Sequence, residues 1–257
     1  MASYIFYVII TSMKKNHIHT DFKSKGKILS GILSLPSCRN PPLVVGSHGL
    51  EGSMESAKQK ALAELLPNAG MAFFRFDHRG CGKSEGDFQT DTSLDKRAED
   101  MINAVDHALS LSLTDDRIAL FGSSLGGSTC IETWHRLLCR KTKPRGMVIC
   151  AAPVQSTTIE NIPTAGNENR PALPMSFFRK NLFFDIRSRT ESIDHILIFH
   201  GDRDKTVPVE NGYTIYRNAK EPKKLIILKN GDHQMSCVKD QQIFKTESVS
   251  WFKACFS

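Results

Sequence analysis

No two of the seven cysteines stand in C-x-x-C spacing, and an odd number spread from Cys38 to Cys255 is a poor basis for a disulfide framework. That excludes a stapled toxin or hormone and the common zinc-ribbon pattern. Reduced thiols in a cytoplasmic protein are expected instead, with Cys150, set in Met147-Val148-Ile149-Cys150-Ala151, packing as a small hydrophobe. Long apolar runs are also missing. Tyr4–Ile10 spans seven residues, far short of the roughly 20 that cross a bilayer. Lys14 and Lys15 follow this run rather than precede it, so it lacks the order of a secretory signal. Residues 1–15 are expected to form a loose extension, with Met13 reading as an alternative start, and no stable membrane association is expected. No block of five like charges accompanies the net charge of +7, so nucleic acid is not an expected partner. Repeats and low-complexity segments are absent, and 40% hydrophobic with 24% charged residues in 257 describes an ordinary globule.

What is present is alternation. Short apolar runs at 42–47, 71–77, 117–123, 146–152, 195–201 and 224–229 alternate with amphipathic stretches, as in a parallel sheet covered on both faces. The runs at 16–22 and 27–35, joined by Lys23-Ser24-Lys25-Gly26, read as an antiparallel hairpin at one edge. Helices are predicted with apolar faces at Met54, Ala57, Ala61 and Leu65, with Ser53 as N-cap, and at Leu94, Ala98, Met101, Val105 and Ala108. Others follow over 125–138 and 240–252. The reading is α/β: one domain over 16–257, a mostly parallel eight-stranded sheet with helices on both faces. Residues 154–192 interrupt it. Four of the 11 prolines fall between Pro153 and Pro174, and an aromatic, basic stretch follows, so a cap over a pocket is expected there.

Glycines mark the rim where a ligand would sit. Eleven of the 17 lie at predicted strand ends, the side on which open α/β sheets bind ligands. The sharpest local pattern is Gly122-Ser123-Ser124-Leu125-Gly126, a G-x-S-x-G between an apolar strand and a helix. Such a turn strains its central residue and tolerates only small neighbours two positions away. Ser124 is therefore the candidate nucleophile, at a helix start whose amides and dipole favour developing negative charge. A serine hydroxyl needs a base, and the base an orienting acid. Asp202 and Asp204 follow the predicted strand at 195–201 and His233 follows the last one, giving the order Ser, Asp, His. The histidines His48 and His200 precede glycines at strand ends, where packing and turn hydrogen bonds suit them better. Asp77-His78-Arg79-Gly80-Cys81-Gly82-Lys83-Ser84 lacks the spacing of a phosphate loop.

Taken with Ser47-His48-Gly49-Leu50-Glu51-Gly52, His200-Gly201-Asp202-Arg203-Asp204, Val207-Pro208 and Gly231-Asp232-His233, these segments stand in an order that resembles the α/β-hydrolase superfamily of serine hydrolases from about residue 17 onward. Within it the chain looks most like small cytosolic esterases and acyl hydrolases related to cinnamoyl esterases, monoacylglycerol lipases and serine aminopeptidases. The resemblance implies the α/β-hydrolase fold and a triad of Ser124, His233 and Asp204, with Asp202 the rival acid. The carboxylate three residues before Val-Pro usually serves, which selects Asp204. It also implies an oxyanion hole made by the backbone N–H groups of Leu50 and Leu125, and a structural turn held by Asp77 and Arg79. No metal or organic cofactor is implied. The expected partner is a small-molecule ester, with Phe177, Phe178, Phe183 and Phe184 walling an apolar pocket and Arg170, Arg179 or Arg187 meeting an anionic group. Thioester and peptide substrates, or a silent binding domain, are the alternatives.

Overall fold

The computed structural model describes residues 17–138, 140, 142–162, 164–166 and 172–257. The expected loose extension at 1–15, together with Cys139 and Arg170, lies outside them. Strands β1 (His17–Ser24) and β2 (Lys27–Ser34) form the hairpin. Lys25 and Gly26 turn it with φ of 48° and 80°, the doubly left-handed backbone that suits a two-residue hairpin. Then follow β3 (Leu43–Ser47), α1 (Ala57–Asn68), β4 (Ala72–Phe76), the short α2 (Phe88–Asp91), α3 (Leu94–Ser110), β5 (Ile118–Ser123), α4 (Leu125–Leu137) and β6 (Met147–Cys150). After β6 come α5 (Met175–Asn181), β7 (Ile196–Gly201), α6 (Glu210–Asn218), β8 (Lys223–Leu228) and α7 (Val238–Phe256).

One eight-stranded sheet runs β1-β2-β4-β3-β5-β6-β7-β8, antiparallel at β1–β2 and β2–β4 and parallel from β4 onward. The eight strands and the hairpin edge match the sequence reading. Apolar residues in sequence along the parallel strands feed alternate faces. On β5, Ile118 and Leu120 join one core while Ala119 and Phe121 join the other. β6 and β7 repeat the division with Met147 and Ile149 against Val148 and Cys150, and Ile196 and Ile198 against Leu197 and Phe199. Helices α3, α4 and α6 cover the first face; α1 and α7 cover the second. Each fully buried aliphatic or aromatic side chain contributes roughly 1.5–3 kcal/mol, so these runs are the main source of stability.

Helix α1 corrects two expectations. It starts at Ala57 with Ser56 as cap residue, and Ser53 instead accepts from the Glu55 N–H within the preceding turn. Its buried face is Gln59, Leu62, Ala63 and Leu66 rather than Ala57, Ala61 and Leu65. Adjacent Leu65 and Leu66 let two stripes share helical spacing, and the sheet selects the second. In α3 the expected apolar face is buried throughout. No helix among the described residues is long and apolar enough to cross a membrane.

The strand order sets the site. From β3 the chain moves to β4 on one side and later to β5 on the other. Helices α1 and α4, which follow β3 and β5, pack on opposite faces, so the loops after these two strands part and leave a crevice at their carboxyl ends.

Candidate active site

Ser124 sits in that crevice between β5 and α4 with φ 54° and ψ −126°, a conformation L-residues rarely adopt. The crowding that requires small neighbours is direct. A Cβ on Gly122 would lie 2.2 Å from the Gly126 carbonyl oxygen, and one on Gly126 would lie 2.2 Å from that of Ser47. Any side chain at either position would force the β5–α4 turn or the β3 loop to move.

His233, in the loop after β8, places Nε2 3.1 Å from Ser124 Oγ and Nδ1 2.7 Å from Asp204 Oδ2. A carboxylate only accepts, so Nδ1 carries the proton and Nε2 presents its lone pair to the serine. Asp204 Oδ1 in turn accepts from the Thr206 and Val207 N–H groups, each at 2.8 Å. Burial alone would raise the Asp204 pKa. The His233 hydrogen bond and charge, with the two backbone amides, outweigh it and hold the carboxyl below its ordinary value. Asp202 does not join the group: its Oδ1 accepts from the Asn230 N–H at 2.6 Å and ties one strand-end loop to the next. The structure thus brings Ser124, His233 and Asp204 together and leaves the rival acid in a turn.

Leu50 and Leu125 both border the cavity beside Ser124. Among the described residues neither N–H has an acceptor, as a pair awaiting a ligand oxygen requires. The two rejected histidines are structural. His48 donates from Nδ1 to the Gly49 carbonyl at 2.7 Å, and its Nε2 accepts from the His78 N–H at 3.2 Å. His200 donates from Nε2 to the Val207 carbonyl at 2.8 Å, beneath the Asp204 loop. Asp77 accepts from the Met54 and Lys83 N–H groups, and Arg79 pairs with buried Asp100; both brace loops away from Ser124.

A cavity of about 360 Å³ opens over Ser124. Ile159, Ile162, Met175, Phe178, Leu182 and Phe183, from the segment between β6 and β7, form its apolar wall. Phe184 also borders it. Phe177 corrects the sequence reading: it points into the core at 6% exposure, with its ring 6.0 Å from that of Phe88 and 5.3 Å from Phe178. On a short helix adjacent residues face apart, so Phe177 anchors α5 while Phe178 faces the cavity. Of the candidate cations, Arg179 lines the cavity, whereas Arg187 is paired with Asp185 at 2.6 Å elsewhere. Sequence reasoning missed Lys58 and Gln59 of α1, which border the opposite side. Gln59 is fully buried with neither amide atom paired, and a polar residue on a helix's inner stripe was the signal available. Among the described residues no cluster of three His, Cys, Asp or Glu side chains could hold a metal.

Fold and crevice together define an α/β hydrolase. The likeness to solved structures agrees: Est1E from Butyrivibrio proteoclasticus, in its structure with ferulic acid bound, superposes with a TM-score of 0.76 over 91% of this chain and 98% of that one, at 24% identity. A Pyrococcus furiosus esterase matches at 0.74 over 97% and 96%, at 18% identity. Residues 40–177 match the family described as serine aminopeptidase, S33, and the chain belongs to that family. Among curated relatives, YfhR of Escherichia coli (strain K12), itself uncharacterized, is 29% identical over 74% of this chain. The match spans only 62% of that relative's length. The mitochondrial palmitoyl-protein thioesterase ABHD10 of Rattus norvegicus is 23% identical over 81% of this chain and 77% of its own.

Proposed function

We propose that the protein is a serine hydrolase that cleaves carboxylic esters of small molecules through an acyl-enzyme on Ser124. The observation that carries this reading is the continuous chain Ser124 Oγ, His233 Nε2, His233 Nδ1, Asp204 Oδ2 at 3.1 and 2.7 Å, opening into a cavity with two unpaired backbone donors. His233 takes the hydroxyl proton as Ser124 Oγ attacks the ester carbonyl. The carbonyl π pair moves onto oxygen, where the Leu50 and Leu125 N–H groups stabilise it. As the tetrahedral species collapses, His233 gives the proton to the departing alcohol. Water, activated by the same ring, then releases the acid. Asp204 keeps the imidazole in the tautomer that accepts from Ser124 and stabilises it when protonated.

The apolar wall supports an acyl or aryl group on the substrate, and Arg179 at the cavity supports an anionic substituent. A thioester fits the same chemistry and geometry, and the similarity to a palmitoyl-protein thioesterase favours including it. The six described cysteines are all free, which supports a reducing, cytoplasmic setting.

Intact-mass labelling with a fluorophosphonate tests the mechanism without a guessed substrate. One adduct is expected on the wild type and none on Ser124→Ala, with labelling of His233→Ala slowed at least about 10³-fold. Absence of an adduct on folded wild-type protein would reject the reading. With an adduct in hand, p-nitrophenyl esters, acyl thioesters and aminoacyl amides of matched chain length would rank the substrate classes.

A further inference from the structure

Arg97 is the most unusual side chain outside the site. It comes from α3, is 1% exposed, and meets no carboxylate. Its Nη2 donates to the carbonyl of His48 and, at 3.4 Å, to that of Gly49, while Nε and Nη1 have no hydrogen-bond partner. Around the guanidinium stand these two carbonyls, the His48 ring nitrogen at 3.4 Å and the buried Cys81 thiol. With no carboxylate paired to it such burial is costly, and an apolar residue of similar volume generally packs a core as well or better. The cost calls for a return elsewhere in the molecule.

The backbone it grips leads directly to the expected oxyanion donor. The peptide between Gly49 and Leu50 is trans, the sole cis bond among the described residues being Glu221–Pro222. In a trans peptide the carbonyl and the N–H point in opposite directions. Wherever the Gly49 oxygen is held, the Leu50 N–H faces the other way. Three donors hold that oxygen: Arg97 Nη2, His48 Nδ1 at 2.7 Å and the Gly52 N–H at 3.3 Å. Arg97 also holds the preceding carbonyl, so two successive peptides are fixed from beneath. His48 is itself fixed, because its Nε2 accepts from the His78 N–H. Gly49 leaves little room for adjustment, since a Cβ there would come within 3.3 Å of the Ser123 carbonyl oxygen.

We infer that Arg97 is a positioning residue for the oxyanion hole: by anchoring the His48 and Gly49 carbonyls inside the fold it turns the Leu50 N–H toward the Ser124 cavity. This rests on the hydrolase reading above, and it adds to that reading a residue that α1, β4 and α2 separate in sequence from Leu50 and that touches no substrate. Its contribution falls on the transition state, because the oxyanion develops there and is absent from the bound ester. Loss of Arg97 should lower kcat and leave KM nearly unchanged.

The test compares Arg97→Met, Arg97→Lys and, as a control on the same helix, Val105→Ala, whose side chain is buried away from the loop. Hydrolysis of p-nitrophenyl butyrate is followed with thermal melting of each variant. For Arg97→Met a kcat lower by about 10- to 100-fold is expected, with KM changed less than about twofold. Arg97→Lys, which keeps one donor, should recover several-fold of that loss. Val105→Ala should lose thermal stability and keep kcat. A second readout separates positioning from general damage. An alkyl trifluoromethyl ketone adds Ser124 Oγ at its carbonyl, the serine proton passing to His233 and the π pair to oxygen in the oxyanion hole. The methyl ketone of the same chain binds without forming that oxygen to any extent. The ratio of their inhibition constants should shift at least about tenfold against the trifluoromethyl ketone in Arg97→Met and stay fixed in Val105→Ala. Wild-type kcat and an unchanged ratio in folded Arg97→Met, or, should that variant not fold, an Arg97→Lys loss that falls on KM with the ratio unchanged, would overturn the inference while leaving the hydrolase reading intact. A wild-type protein that hydrolyses no ester and takes no fluorophosphonate would overturn both.

Discussion

Asp202 and Asp204 are two residues apart in one loop, yet their surroundings give them different work. Asp204 is 9% exposed, accepts two backbone N–H groups through one oxygen and orients His233 through the other. Asp202 accepts one N–H, that of Asn230, at a surface turn. Asp204→Asn would keep the shape and lose the charge, and its amide, placed to donate to His233, favours the wrong imidazole tautomer. We expect kcat to fall by about 10³- to 10⁴-fold with little change in KM. Asp202→Asn retains an acceptor oxygen for Asn230 and should keep kcat within about twofold, costing at most about 1 kcal/mol in a denaturant titration. Comparable losses in both variants would reject the assignment of the acid. The sequence alone left this choice to the resemblance, because spacing places both carboxylates at the same strand end. What separates them is which oxygen meets a ring and which meets a turn amide, a matter of loop conformation.

Among the elements, α5 shows what a short helix does when one face anchors and the other walls a cavity. Phe177 is held by Phe88 and the surrounding core, and Phe178 lines the cavity beside it. Phe177→Ala should destabilise by about 2–4 kcal/mol and leave the ranking of p-nitrophenyl acyl esters from acetate to decanoate nearly unchanged. Phe178→Ala should change that ranking with a smaller loss of stability. If Phe177 alters chain-length preference more than Phe178, the orientation of α5 is misassigned. The concentration of prolines within 154–192 is visible in the sequence, but the facing of individual phenylalanines was not legible there, since a seven-residue helix carries too little periodicity to fix its inner side. The strands were legible because burial on both faces makes them continuous apolar runs, and α3 because its stripe has no competitor. Helix α6 went unread: its buried face is Asn211, Gly212 and Ile215, which no hydrophobic pattern announces. The elbow at Ser124 was legible because sterics confine it to a glycine-flanked pattern. The side of the cavity formed by Lys58 and Gln59 was not, because it depends on where α1 settles on the sheet.

At the scale of the whole molecule, three histidines are sealed into the loops that build the crevice. Burial lowers the pKa of His48, with the charge of Arg97 acting the same way. It lowers that of His200, and it brings His78 down to about 3 with Arg97 again assisting. In the unfolded chain each returns to about 6.5. Their folded values lie below the unfolded one, so the stability they leave intact is fully present above pH 6.5 and is lost as pH falls, because the unfolded state then binds protons the folded state refuses. For His78 the loss runs from about pH 6.5 toward 3, at about 1.4 kcal/mol per pH unit through its middle. His48 and His200 add to it in the same direction. Asp77 opposes them: burial raises its pKa, so the folded state takes up its proton first on acidification. Asp100 acts lower, because despite burial its hydrogen bonds to His78, Arg79 and Ser24 hold it near 2, and its contribution is lost only as pH drops below about 4. Urea titrations from pH 7.5 to 4.5 should therefore show falling stability with a net uptake of one to three protons on unfolding at about pH 5. His78→Asn, if it folds, should reduce that uptake by about one proton, whatever it does to the absolute stability. A flat profile over this range would mean that these rings are protonated in the folded state, and that the loops around Ser124 are held by charges rather than by neutral imidazoles.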